Sequence, residues 1–283
     1  MELTILLICL GILLIATYTD LKWLEVPDWL SYAGILVGIS IHIYYSLEQT
    51  AWWPIISSVV GLAITFAFAC FMYYTGQWGG GDAKLLMALG AIIGFEPAKF
   101  SFGTSFMINL VFCGAAWGLL YSGYKAARNK TAFVEQFKKI RTTKPYSTIR
   151  LIVTPIAIIC VILSFVFSFL QIELLLLAFF LFFLSYVAIF VKSVELSSMH
   201  VWVSPTKLTE GDWLVKPIAV GKFKLNPPKL GLEKEDLAKI MKLHKQKKLN
   251  KVLVKYGIPF VPAFLISFAL TWAIGNIVLF FII

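Results

Sequence analysis

Charge is what this sequence has least of. Charged residues make up 14% of the chain, and only 15 of its 283 residues are Asp or Glu, against 25 Lys and Arg. A soluble domain carries about 25% charged residues. Several catalytic signatures are missing as well: there is no HExxH helix, no GxSxG turn and no CxxC pair, which leaves out the commonest zinc-peptidase, serine-hydrolase and thiol constellations. The four cysteines, Cys9, Cys70, Cys113 and Cys160, all fall inside apolar runs. They read as small packing residues, not as a disulfide or zinc framework. No metal and no cofactor is expected. The first apolar run begins at Leu3 with no Lys or Arg before it and no small-residue cleavage site after it, so residues 3–19 read as a retained span.

What is there instead is apolar: 59% of residues are hydrophobic and 16% aromatic. They are gathered into long runs with charge packed between, the pattern of a multi-span helical protein. Eight runs are candidate spans: 2–19, 29–46, 54–75, 83–95, 102–124, 149–170, 173–191 and 257–282. A crossing helix needs about 20 residues, and only the run from Ala83 to Phe95 is short. It is either a crossing or a re-entrant helix, and charge decides. With the N-terminus outside and all eight runs crossing, 23 of the 25 Lys and Arg lie on or beside the inner face: eight in 125–150, fourteen in 192–256, and Lys22. Lys84 then sits just inside the short run, and Lys99 alone faces out. A re-entrant fourth run would put the two large basic stretches on opposite faces, against the positive-inside rule. The expected fold is therefore an all-α polytopic membrane protein. It has about eight transmembrane helices, a small α+β cytoplasmic insert before the last helix, and both termini outside. Residues 1–191 hold spans one to seven, 192–256 the basic insert, and 257–283 the last span. The net charge of +10 marks an inner surface that meets anionic membrane lipids; a nucleic-acid partner is not expected.

The insert has β-like stretches at Val201–Val203 and Trp213–Val215, punctuated by Pro205, Gly211, Pro217 and Pro227-Pro228. A helical stretch is expected from Glu233 to about Lys255, opened by acids and closed by lysines in keeping with the helix dipole. Leu237, Ile240 and Met241 form one apolar face; Leu249, Val252 and Leu253 form a second cluster, out of phase with the first. A surface-lying amphipathic helix and a helix packed on its own small domain both fit. Trp23, Trp29, Trp52, Trp53 and Trp78 lie near span ends and read as interfacial anchors.

Ionisable groups in or bordering spans are costly and tend to be functional. The conspicuous pair is Asp20, at the inner end of span one, and Asp82, at the inner start of span four. The topology puts both at one face and similar depth. Two carboxylates that can meet share a proton; one can then activate water while the other polarises a peptide carbonyl. Before Asp82 stand Gly79, Gly80 and Gly81, which free the backbone for positive φ and for close approach of a substrate chain. From this motif alone an ordinary glycine hinge with an aspartate N-cap is the plainer reading. Glu25 and Asp28 follow Asp20 in a short inner loop, where they either shape the site or are simply solvated. Lys84 either sets the local field or snorkels to headgroups. A transporter binding protons or cations at the same aspartates, and a non-catalytic scaffold, are the rival classes.

Gly79-x-Gly81-Asp82 with Lys84 resembles the GxGD signature of intramembrane aspartyl peptidases. Asp20-Leu21-Lys22-Trp23-Leu24-Glu25-Val26-Pro27-Asp28 resembles the first-aspartate segment of type IV prepilin peptidases. Lys255-Tyr256-Gly257-Ile258-Pro259-Phe260-Val261-Pro262-Ala263-Phe264 and Thr209-Glu210-Gly211-Asp212-Trp213 are similar to segments of archaeal prepilin and preflagellin peptidases. The resemblance implies an Asp20–Asp82 dyad at the cytoplasmic border. It also implies removal of a short basic leader from pilin-like or flagellin-like precursors, just before a hydrophobic helix. The chain lacks the cysteine pairs and nucleotide loop that would accompany methyltransferase activity. The run 149–191 adds a helical hairpin to the six spans of better-known preflagellin peptidases. Thr19 between Tyr18 and Asp20, and Phe264 after Pro262-Ala263, depart from the animal-type branch.

Overall fold

The computed structural model describes residues 2–98, 100–221 and 223–282. Lys99, expected to face out, and Lys222, counted in the inner basic stretch, lie outside the described residues. The elements, in chain order, are α1 Leu3–Trp23, α2 Asp28–Glu48, α3 Trp53–Tyr74, α4 Gly80–Ile93, α5 Phe102–Arg128, α6 Lys130–Thr142, α7 Tyr146–Val166, α8 Gln171–Val194, β1 His200–Val203, β2 Trp213–Leu214, β3 Ile218–Val220, β4 Phe223–Leu225, α9 Lys234–Lys245, β5 Val252–Lys255, α10 Val261–Ile274 and α11 Ile277–Ile282. Each apolar run contains a helix. Six of these (α1, α2, α3, α5, α7 and α8) are long and apolar enough to cross a membrane. The protein is a mostly helical, multi-pass membrane protein with a small strand-containing region. Both α4 and α10 have 14 residues, short of the expected length.

Contacts group the chain into two units. The first holds α1–α4, α5 as far as Gly118, β2–β4, α9, α10 and α11. At its centre α4 packs against α2 and α3 and is buried around most of its circumference, from Ala83 to Ile92. Small residues let the backbones approach. A Cβ placed on Gly38 would come within 2.8 Å of the Ala91 and Ile92 backbone, and one on Gly61 would overlap the Gly90 carbonyl. The last carbonyls of a helix have no helical partner, and in apolar surroundings they need another. Ser58 Oγ donates to Ala91 O at 2.7 Å, and His42 Nε2 lies 3.0 Å from Ile92 O. His42, on α2, thus serves this helix end. The last apolar run is broken, because α10 stops at Gly275, whose φ is +72°. Fully buried Asn109 of α5 bridges the break: Nδ2 donates to Thr271 Oγ1 and to Gly275 O, both at 2.8 Å, and Oδ1 accepts from Ile277 N–H at 2.9 Å. The strands β3 and β4 form an antiparallel hairpin with Ile218 opposite Leu225.

The second unit holds the end of α5, α6–α8, β1 and β5. α6 arises inside the inner basic stretch, where no helix was expected. Phe133 lies 5.6 Å from Phe190 of α8, and Ile140 is buried. β5 pairs antiparallel with β1, with His200 opposite Lys255 and Val203 opposite Val252. This corrects the helix expected over 233–255. α9 ends at Lys245, Lys247 takes φ 58°, and Val252–Lys255 is a strand with Val252 and Val254 buried alternately. The two out-of-phase apolar clusters are two different elements, and β-branched Val252 and Val254 suit the pleated one.

Candidate active site

Asp20 lies one turn before the end of α1 and is 5% exposed. Its Oδ2 accepts a hydrogen bond from the Val261 N–H at 2.9 Å, with the Phe260 N–H alongside. These are the first amides of α10. Such amides have no partner within their helix, and Pro262, at the second position, has no N–H to satisfy. The carboxylate therefore caps α10 from a helix 241 residues away in sequence. Asp82 is the third residue of α4, and its Oδ2 accepts the N–H of Gly79, the N-cap, at 3.3 Å. Both carboxylates thus sit at the positive end of a helix. They are near enough for their charges to repel, and α1 packs against both α4 and α10.

The three glycines work differently from expectation. None takes positive φ: Gly79 is extended, with φ −74° and ψ 165°, and Gly80 and Gly81 open α4. The close approach seen here is within the chain. A Cβ on Gly81 would lie 3.2 Å from Val26 Cβ and 3.3 Å from Val26 N, whereas one on Gly80 would meet nothing closer than Tyr73 at 3.9 Å. The α1–α2 loop therefore rests on Gly81.

Trp78 is not an interfacial anchor. It is 5% exposed and packs with Phe68 (5.7 Å), Phe260 (5.3 Å) and Phe264 (5.3 Å). Trp23, Trp29, Trp52 and Trp53 are exposed, as that role requires. Lys84 Nζ meets Asp28 Oδ1 at 2.7 Å and lies 5.5 Å from the centre of the Tyr32 ring. Glu25 is exposed and repels Asp212 of the insert. The Asp212 loop is built locally: Thr209 N–H donates to Asp212 Oδ2 at 2.9 Å, Gly211 N–H to Leu232 O at 2.9 Å, and Leu232 N–H to Asp212 O at 2.8 Å.

Burial, with Glu25 adding to it, holds the Asp212 carboxyl above the usual carboxylate range despite the Thr209 hydrogen bond. A raised carboxyl costs stability where it is ionised and stops costing where it is protonated. Asp212→Asn keeps an acceptor for Thr209. It is expected to raise the melting temperature at pH 7 and above by one to a few degrees, on the order of 0.5–1 kcal/mol, with the gain fading as pH falls through the carboxyl's titration. Melting curves across pH check this; a gain that persists at low pH would contradict it.

Sequence reasoning did not find the residues that hold Asp20's partner. Trp117 Nε1–H donates to Pro259 O at 2.7 Å, and a Cβ on Gly114 would collide with the Phe260 ring at 2.6 Å. Nothing in the sequence marks Trp117 or Gly114, although the segment they hold, 255–264, was singled out. Among the described residues no group of three or more His, Cys, Asp or Glu converges as metal ligands would.

Residues 7–121 match the model of the type IV leader peptidase family. The chain is 38% identical over 81 residues to a preflagellin peptidase of Methanocaldococcus jannaschii, covering 29% of this chain and 34% of that protein. It is 33% identical over 101 residues to a preflagellin peptidase of Methanococcus maripaludis, covering 35% and 44%. To the prepilin peptidase EppA of Methanothermobacter thermautotrophicus it is 28% identical over 97 residues, covering 33% and 25%. The matches thus span well under half the length of these relatives. The matched stretch, residues 7–121, carries both aspartates and the glycines before Asp82, and over it the chain is similar to the type IV leader peptidase family.

Proposed function

We propose that the protein is an intramembrane aspartyl endopeptidase that removes the short basic leader from pilin-like or flagellin-like precursors at the cytoplasmic face. The observation that carries this is the pair Asp20 and Asp82. Each sits at the start of a short helix and accepts a backbone N–H, and α1, which carries Asp20, packs against α4, which carries Asp82. In this reading Asp20, with the shorter hydrogen bond, bears the negative charge, and Asp82 carries the shared proton. Asp20 takes a proton from water as the water oxygen attacks the scissile carbonyl carbon, while Asp82 gives its proton to the carbonyl oxygen. The tetrahedral adduct then collapses. The C–N bond breaks, the proton on Asp20 passes to the leaving nitrogen, and the adduct's hydroxyl proton returns to Asp82.

Eight crossings, with α4 and α10 as the short ones, put the dyad and the basic stretches 125–148 and 192–256 on the cytoplasmic side. The insert 192–256 then separates the spans in 1–191 from the last span in 257–283. α6 supports contact with anionic lipid. Its apolar face is turned to α8, and none of the described carboxylates pairs with exposed Lys130, Lys138, Lys139, Arg141 or Lys144. Glu25 lies on the α1–α2 loop and Asp28 opens α2, where a basic leader would pass. Asp28 is engaged by Lys84, which leaves Glu25 as the more available of the two. The relatives named above are peptidases by name, which favours this reading over a transporter.

The test is co-expression with candidate precursors, scored for leader loss on gels and by mass of the new N-terminus. Leader retention with every pilin-like and flagellin-like precursor from the same genome would end the proposal.

A further inference from the structure

The short hydrogen bond to Asp20 comes from a backbone amide, so no side chain at 261 sets it. What sets it is where the start of α10 is held, and the structure shows two grips, both from α5. At the near end Trp117 Nε1–H donates to Pro259 O at 2.7 Å, two residues before Val261, while Gly114 leaves just enough room for Phe260, the N-cap. At the far end Asn109 spends its whole amide on the α10–α11 break, through Thr271, Gly275 and Ile277. Asn109 and Trp117 are eight residues apart, hence on one face of α5. Beside the Asn109 grip the rings of Phe106 and Phe268 pack edge to face, with centres 6.2 Å apart. Grips at both ends oppose sliding and rotation of α10, and movement of its first turn changes the 2.9 Å bond from Val261 to Asp20.

We propose that Trp117 and Asn109 are positioning residues, which fix α10 so that the Val261 amide stays on Asp20 Oδ2. The proposal rests on the peptidase reading for its kinetic consequence, but the grip itself can be measured without substrate. Asn109 is too buried to be removed safely, since Asn109→Leu would strand a carbonyl and an N–H in apolar surroundings. Trp117→Phe keeps an aromatic side chain and removes the donor together with part of the indole's volume. Gly114→Ala leaves the donor and pushes on Phe260, and it stands in if Trp117→Phe fails to fold.

Hydrogen–deuterium exchange of the full-length protein in detergent or nanodiscs reads peptides covering 257–263. The expected result is exchange about tenfold faster in this segment in either variant, with α2 and α3 unchanged. For precursor cleavage, kcat is expected to fall about tenfold with KM within about twofold, as for a group that acts in the chemical step. A carboxylate that loses an N–H donor gives up its charge more readily, so the acid limb of the cleavage–pH profile should move to higher pH. A merely structural role would leave that limb in place. Wild-type exchange over 257–263 in both variants would overturn the grip, and an unmoved acid limb would overturn the positioning role. If the wild type cuts no precursor, the peptidase reading fails and the exchange measurement still decides the grip.

Discussion

Asp20→Asn and Asp82→Asn are each expected to reduce leader removal by about 10³-fold or more, at the upper part of the ~10²–10⁴ range that a general acid or base contributes. Each variant should stay folded and membrane-inserted. Asparagine keeps an oxygen where Asp20 accepts from Val261 and where Asp82 accepts from Gly79, so both helix starts remain capped. The double variant should lose little more than either single one, because a pair that shares one proton fails as a unit. Chelators should leave the wild-type rate unchanged, since the reaction is assigned to carboxylates. The measurement is initial cleavage rate of a purified precursor at saturating concentration. Cleavage by either single variant within tenfold of wild type would dismantle the dyad.

Gly81→Val should be the most damaging substitution among the three glycines before Asp82, and Gly80→Val the mildest of those in the helix. The reason is spatial. The added carbon at 81 meets Val26 at 3.2–3.3 Å, partly backbone, whereas at 80 it has nearly open space. Overpacking of this kind costs typically 1–3 kcal/mol. Here it also pushes the loop that follows Asp20 away from the turn that carries Asp82. Cleavage should fall about a hundredfold for Gly81→Val, a loss of roughly 2.7 kcal/mol in transition-state terms, and by no more than about threefold for Gly80→Val. Gly81→Ala should lie between. Equal loss at 80 and 81 would mean that the substrate, not Val26, needs the space.

The parts of this protein visible in its sequence are those whose cause is local. Long apolar runs give helices wherever they occur, and Asp20 and Asp82 stand out because a carboxylate bordering a span has to be explained. The failures share a different cause. Val252–Lys255 has lysines and apolar residues enough to extend α9, and only its pairing with β1, some fifty residues away, makes it a strand. Trp78 looks like an interface residue until Phe260 and Phe264 from the end of the chain cover it. α6 was missed because its apolar residues are few and meet α8, not lipid. The partner of Asp20 could not be read at all, since a backbone amide leaves no trace in the residue type at 261.

The lengths of α4 and α10 reach beyond the site. Each runs 14 residues from the aspartates to a glycine at φ +72°, Gly94 and Gly275. At about 1.5 Å per residue each is about 21 Å long, against a hydrocarbon slab of about 30 Å. In the proposed orientation, with their first turns at the inner boundary, their far ends stop about 9 Å short of the other, among the buried polar side chains of His42, Ser58, Asn109 and Thr271. Neither short end is left to lipid: α4 is enclosed by the longer α2 and α3, and Asn109 of α5 holds the end of α10, so the shortfall of both helices is made up inside the protein.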